Sequence, residues 1–87
     1  MDDEETPRLA FEMVLIDGRK IATIRDASLF FATLTPEDRD ESHWRIAIRM
    51  LRNAVNQPTY TKAATTSLQT ALVIEGLLVS PLTAGGN

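Results

Sequence analysis

Residues 9–25, LAFEMVLIDGRKIATIR, hold two apolar-rich runs on either side of Asp17-Gly18. Leu9, Phe11, Met13 and Leu15 alternate with Ala10, Glu12, Val14 and Ile16, the period of two that belongs to a β-strand. Asp-Gly accepts the positive φ of a two-residue type I′ turn, so Arg19–Arg25 is expected to return as a second, antiparallel strand. That turn would set Met13 opposite Ala22 and Val14 opposite Ile21. Phe11, Met13, Leu15, Ala22 and Ile24 would then line the core face, and Val14, Ile16 and Ile21 the other.

Working outward, Asp26 is expected to cap a short helix with Ala27, Phe30, Phe31 and Leu34 at i, i+3, i+4 and i+7, ending near Thr33–Thr35. Thr35-Pro36 reads as a cap followed by proline at a first helical position, yet residues 37–41, EDRDE, could equally form a loop. The clearest periodicity starts at Ser42. Trp44, Ala47, Ile48, Leu51, Ala54 and Val55 make one apolar stripe on a helix that Asn56, in a left-handed conformation, and Pro58 would close. Trp44 is expected to anchor the core against Phe11, Met13 and Ile24. A third helix is expected from a Thr61 cap to Gly76, with Ala64, Leu68, Ala71 and Leu72 inward, and a final short strand at Leu77–Val79 on the edge of the hairpin. This order predicts an α+β fold: a small antiparallel sheet, made of the N-terminal hairpin and the short C-terminal strand, with about three helices. One domain over residues 9–80 is expected, with a disordered lead-in at 1–8 and a flexible tail at 81–87.

The chain has 87 residues, 44% of them hydrophobic and 24% charged, within the range of a globular domain that is small enough to be marginal alone. It has no cysteine, which removes disulfides, thiolate metal sites and cysteine nucleophiles. The net charge is -3, but Asp2, Asp3, Glu4 and Glu5 supply four of the acids at one end. From His43 onward Arg45, Arg49, Arg52 and Lys62 face only Glu75, so the second half is basic. With no signal-like start and no apolar run long enough to span a bilayer, a cytoplasmic location without membrane contact is expected.

Several ordered features, namely the hairpin, Ile24-Arg25-Asp26-Ala27, His43 at the start of the long helix, the break near Asn56 and the closing Glu75-Gly76-Leu77-Leu78-Val79, resemble a bacterial family catalogued as domain of unknown function 982. The likeness would span residues 11–79. It differs at Met50-Leu51, Ala63-Ala64-Thr65 and Asn56, where the family carries a cysteine beside a small residue, an arginine and a glycine. The resemblance implies a compact α/β module and supplies no catalytic residue.

His43 is the single imidazole. Paired with Asp40 or Glu41 it could be read as a metal or acid-base dyad. A transition-metal site usually takes three or four protein ligands, so the plainer reading is a surface histidine beside Ser42, and no metal or cofactor is expected. Ser42 and His43 form no triad, because adjacent helical residues do not face each other. Arg45, Arg49 and Arg52, at i, i+4 and i+7, align three guanidinium groups about 100° from the Trp44 stripe. They are read as a solvated face with a Glu41–Arg45 pair, or as a partner-binding face for carboxylates or phosphates. Nucleic acid is the weaker form of the second reading, since the chain is net acidic and no aromatic flanks the stripe. Ile46 and Met50, with Val73, mark a second apolar strip, either buried within the fold or exposed at an interface.

A non-enzymatic interaction module acting through protein binding is therefore expected, with Arg45, Arg49 and Arg52 as candidate partner-binding residues. A homodimer is the second expectation, with Val14, Ile16 and Ile21 as its candidate face or with pairing along a free sheet edge. The alternative is a binder of an anionic ligand or nucleic acid through the arginine stripe.

Overall fold

A computed structural model describes residues 7–79. The elements are β1 (Arg8–Val14), β2 (Lys20–Thr23), α1 (Ile24–Ala32), α2 (Pro36–Arg39), α3 (Ser42–Asn56), a 3₁₀ turn (Pro58–Tyr60) and α4 (Thr61–Ile74). The α+β class is as expected, with an antiparallel β1–β2 sheet and helices packed on it. The tail expected at 81–87 and residues 1–6 of the expected lead-in lie outside the described residues, but Pro7 and Arg8 are ordered into the fold: the Pro7 carbonyl accepts the Ile24 N–H at 2.9 Å and Arg8 opens β1.

The hairpin turn differs from the expected one, and the difference propagates. The Leu15 N–H donates to the Arg19 carbonyl at 2.8 Å and the Gly18 N–H to the Leu15 carbonyl at 2.9 Å, so the loop holds three residues, Ile16-Asp17-Gly18. Gly18 sits at φ +94, the left-handed position that closes such a loop with a bulge. Asp17 fastens the turn by accepting the Arg19 backbone N–H at 3.0 Å and the Arg19 Nε at 2.8 Å. The added loop residue sets Met13 opposite Ile21 and Val14 opposite Lys20. A one-residue slip moves β2 side chains to the other face. Ile21 thus enters the core at 2% exposure; Phe11, expected inside, is 37% exposed for a separate reason, lying in the irregular stretch of β1 between Arg8 and Met13.

Arg8 stands opposite Thr23, so β1 has a longer path than β2 between Arg8 and Met13 and bulges there. The bulge is tied down from another element: the Ala10 N–H donates to Thr65 Oγ1 at 3.0 Å, and that hydroxyl donates to the Thr61 carbonyl at 2.7 Å. Thr65 is fully buried with both hydroxyl roles used.

Helix α1 starts three residues earlier than an Asp26 cap would allow. Thr23 is the N-cap, its hydroxyl accepting the Asp26 N–H at 3.0 Å, and Asp26 completes a capping box from the third helical position. The Asp26 carboxylate accepts the N–H groups of Thr23 at 3.2 Å and Ala22 at 3.0 Å, which occupies an amide on β2 that an incoming strand would need. Residues 36–39 resolve as a helical turn, with Thr35 accepting the Asp38 N–H at 3.1 Å.

On α3, Trp44, Ala47, Leu51 and Ala54 are buried as the stripe requires, and Val55 at 57% exposure is not. Trp44 meets the rings of Phe30 at 5.6 Å and Phe31 at 6.2 Å between centroids, and the neighbouring His43 ring at 5.4 Å, so the phenyl rings against it lie on α1. Asn56 does not take a left-handed conformation, as no described non-glycine residue has positive φ; it is the last residue of α3, Gln57 is the C-cap and Pro58 begins the 3₁₀ turn. Tyr60, without a side-chain bond, is the N-cap of α4 in place of Thr61. Helix α4 contributes Ala64, Thr65, Leu68, Ala71 and Leu72, all at 0% exposure.

A Schellman turn ends α4. Gly76 at φ +71 donates to Val73 at 3.0 Å and Leu77 donates to Leu72 at 2.9 Å, satisfying two terminal carbonyls and reversing the chain. The reversal carries Leu77–Val79 alongside β1: the Ile16 N–H donates to Leu77 at 2.8 Å and the Val79 N–H to Val14 at 2.9 Å. The expected final strand is thus a single antiparallel bridge, Leu15 to Leu78.

Candidate functional site

The exposed side of α3 carries Arg45, Arg49 and Arg52, all open to solvent. Among the described residues no carboxylate lies within ion-pair distance of any of them, and the expected Glu41–Arg45 pair does not form. Like charges at i, i+4 on a helix destabilise it by a few tenths of a kcal/mol, roughly 0.2–0.5 per pair, so the stripe costs the isolated domain a little.

Beside the stripe a groove of about 420 Å³ runs between α1, α2 and α3. Phe31 of α1 and Ile48, Leu51 and Val55 of α3 form its apolar floor and wall, and Arg39 of α2 and Arg52 of α3 supply its cations. Arg52 therefore belongs both to the stripe and to the groove. The structure brings Ile48, Arg52 and Val55 to one place because i, i+4 and i+7 share a helical face. Arg39 is the residue that sequence reasoning missed, since its position depends on whether residues 36–41 form a helix.

His43 meets neither Asp40 nor Glu41. Its Nε2 lies 2.8 Å from Glu75 Oε2, joining the first turn of α3 to the residue after α4, with the side chains 17% and 36% exposed. No group of three potential metal-ligating side chains occurs among the described residues. The pair works as a partly solvated clasp across the helix ends.

The three residues expected to share a dimer face do not share one. Ile21 is core, Val14 is half-buried, and Ile16 stands out from the turn at 63% exposure. The three-residue loop is the cause, because it rotates β2 by one position relative to β1. The second apolar strip also divides. Met50 packs against the core, whereas Ile46 is 50% and Val73 60% exposed.

Two carboxylates are held below the usual range. Asp26 is lowered first by the Ala22 N–H and then by Thr23, against an opposing cost of desolvation. Asp17 is lowered first by the Arg19 N–H and further by the Arg19 guanidinium. Both carboxylates brace turns and lie outside the groove.

No family model, curated protein or solved structure matches the chain. No helix among the described residues is long and apolar enough to cross a membrane.

Proposed function

We propose that this chain is a non-enzymatic, cytoplasmic protein-binding module that engages its partner through the arginine side of α3. The supporting observation is the stripe of Arg45, Arg49 and Arg52, which no carboxylate among the described residues pairs, beside an apolar groove. Guanidinium groups are weakly hydrated and present forked donors, so they lose little on leaving water and gain charge-assisted hydrogen bonds from carboxylates. Apolar surface next to such cations favours a protein partner over nucleic acid, whose affinity comes mainly from a broad cationic field that a chain of net charge -3 lacks. Kinship with the domain of unknown function 982 belongs to the same proposal and rests on the residues quoted for it.

The test is affinity capture from native cells with the wild-type chain and with Arg45→Glu/Arg49→Glu. A partner held by the wild type, released by salt and lost by the variant supports the reading. Tight nucleic-acid binding at physiological salt that the variant abolishes overturns it. A homodimer is the second reading, favoured by the exposed Ile16, Val73 and Ile74. Ile16 bonds to Leu77 just beyond α4, which brings the turn close to the C-terminal end of that helix. Sedimentation equilibrium tests it: doubled mass that Val73→Asp returns to monomer supports the dimer, and a concentration-independent monomer rejects it.

A further inference from the structure

We propose that the groove between α1 and α3 binds an acidic, amphipathic segment of a partner protein. Apolar side chains of that segment seat on Phe31, Ile48, Leu51 and Val55, and a carboxylate is taken between Arg39 and Arg52. The inference rests on the protein-binding reading of α3 and adds the chemistry that the partner must present.

Three observations carry it. First, the apolar stripe of α3 does not stop at the core. Trp44, Ala47, Leu51 and Ala54 are buried, but Val55 continues the stripe into the groove at 57% exposure. An apolar side chain held on a helix beside Ile48 and Leu51 offers a partner surface that is already ordered, so little entropy is lost on binding. Second, among the described residues both charged groups lining the groove are arginines, one from α2 and one from α3, and no carboxylate lines it. Two guanidinium groups facing one depression repel each other until an anion is placed between them, and their forks match a carboxylate. Third, the size and form suit a few side chains. About 420 Å³ lies toward the small end of ligand sites, which run roughly 300–1,000 Å³, and the groove is open to solvent.

Single-stranded nucleic acid fits poorly, because bases need exposed rings to stack on and the one aromatic of the groove, Phe31, is only 8% exposed. The chain's own acidic run, Asp2-Asp3-Glu4-Glu5, has carboxylates without interleaved apolar residues and supplies half of the required chemistry.

The experiment is fluorescence anisotropy of the full chain with a labelled amphipathic peptide, leucines at i and i+4 and glutamates beside them on the same face. Saturable binding is expected, weakened about tenfold by each of Arg39→Glu, Arg52→Glu and Val55→Asp. Replacing the peptide's glutamates by lysine should abolish binding to the wild type and restore it to Arg39→Glu/Arg52→Glu. All three positions are exposed, and matching circular dichroism and thermal transitions establish that the variants fold.

If the groove variants bind like the wild type while Arg45→Glu/Arg49→Glu loses the peptide, the groove assignment is overturned and the arginine-side reading stands. If no variant changes the affinity, or an oligonucleotide displaces the peptide at physiological salt, both fall. Absence of saturable binding also overturns the groove assignment.

Discussion

The two flanks of α3 are built from one helix and end in opposite states. Toward α4 the interface is closed: α3 and α4 form the most extensive contact between elements, and Ala64, Leu68, Ala71 and Leu72 are fully buried. Alanines on both helices, Ala47 and Ala54 on α3 and Ala64 and Ala71 on α4, let the axes approach closely. Toward α1 the cover runs out. Nine residues of α1 span roughly 13 Å against about 22 Å for the fifteen of α3, so Phe30 and Phe31 seal Trp44 while Ile48 and Val55 are left beside a groove. The same apolar stripe is thus core over one part of its length and open groove over the rest, and the length of a neighbouring helix decides which.

The largest effect belongs to the sealed part. Trp44 is 1% exposed among Phe30 and Phe31, and Trp44→Ala should cost about 3–5 kcal/mol, enough to leave little folded protein by circular dichroism. Trp44→Phe should cost clearly less, because the indole N–H has no hydrogen-bond partner to lose. A folded Trp44→Ala variant of near wild-type stability would break the distinction between the flanks.

A paired substitution sharpens it. Ala47→Leu enlarges a fully buried position and should destabilise by about 1–3 kcal/mol in urea unfolding, whereas Val55→Leu projects into open space and should stay within roughly 0.5 kcal/mol. Equal costs would mean that the groove side is closed in solution.

The next effect is smaller and depends on pH. Asp26 has its carboxyl pKa depressed in the folded chain, so its contribution is present above the unfolded value of about 3.9 and is lost as pH falls through the folded value. Asp26→Asn should cost about 1 kcal/mol at neutral pH and flatten the acid limb of the stability profile. An unchanged acid limb would remove the capping box from the account of α1. Smallest is the clasp between the helix ends: His43→Gln should change stability by less than about 1 kcal/mol, since the pair with Glu75 is partly solvated. A larger loss in thermal unfolding would make the clasp a structural centre.

The sequence made the helices legible where their signals are local. Trp44, Ala47, Leu51 and Ala54 repeat at helical spacing, and Gly76 marks the end of α4 because only the left-handed turn there satisfies the Val73 and Leu72 carbonyls. The register of the hairpin was not legible, because Asp-Gly serves a two-residue turn and also a three-residue loop that closes on the glycine, and the two differ by one residue of slip. Ile21 changed faces for that reason, whereas Phe11 left the core where β1 bulges between Arg8 and Met13. Nor does anything local pair His43 with Glu75, 32 residues away, or bring Thr65 to the Ala10 amide, 55 residues away. The arginine stripe was visible as periodicity, but the groove needed the tertiary position of α1 and of Arg39 on α2.

The most direct test of the central claim, that the uncovered flank of α3 is a protein-binding surface, is an amide chemical-shift titration of the isotopically labelled chain with the acidic amphipathic peptide. The account predicts shifts that saturate together and concentrate on Phe31, Arg39, Ile48, Arg52 and Val55, leaving Ala64, Leu68 and Leu72 of α4 unmoved. Saturating shifts centred on the hairpin or on the end of α4, with the α3 groove silent, would contradict it.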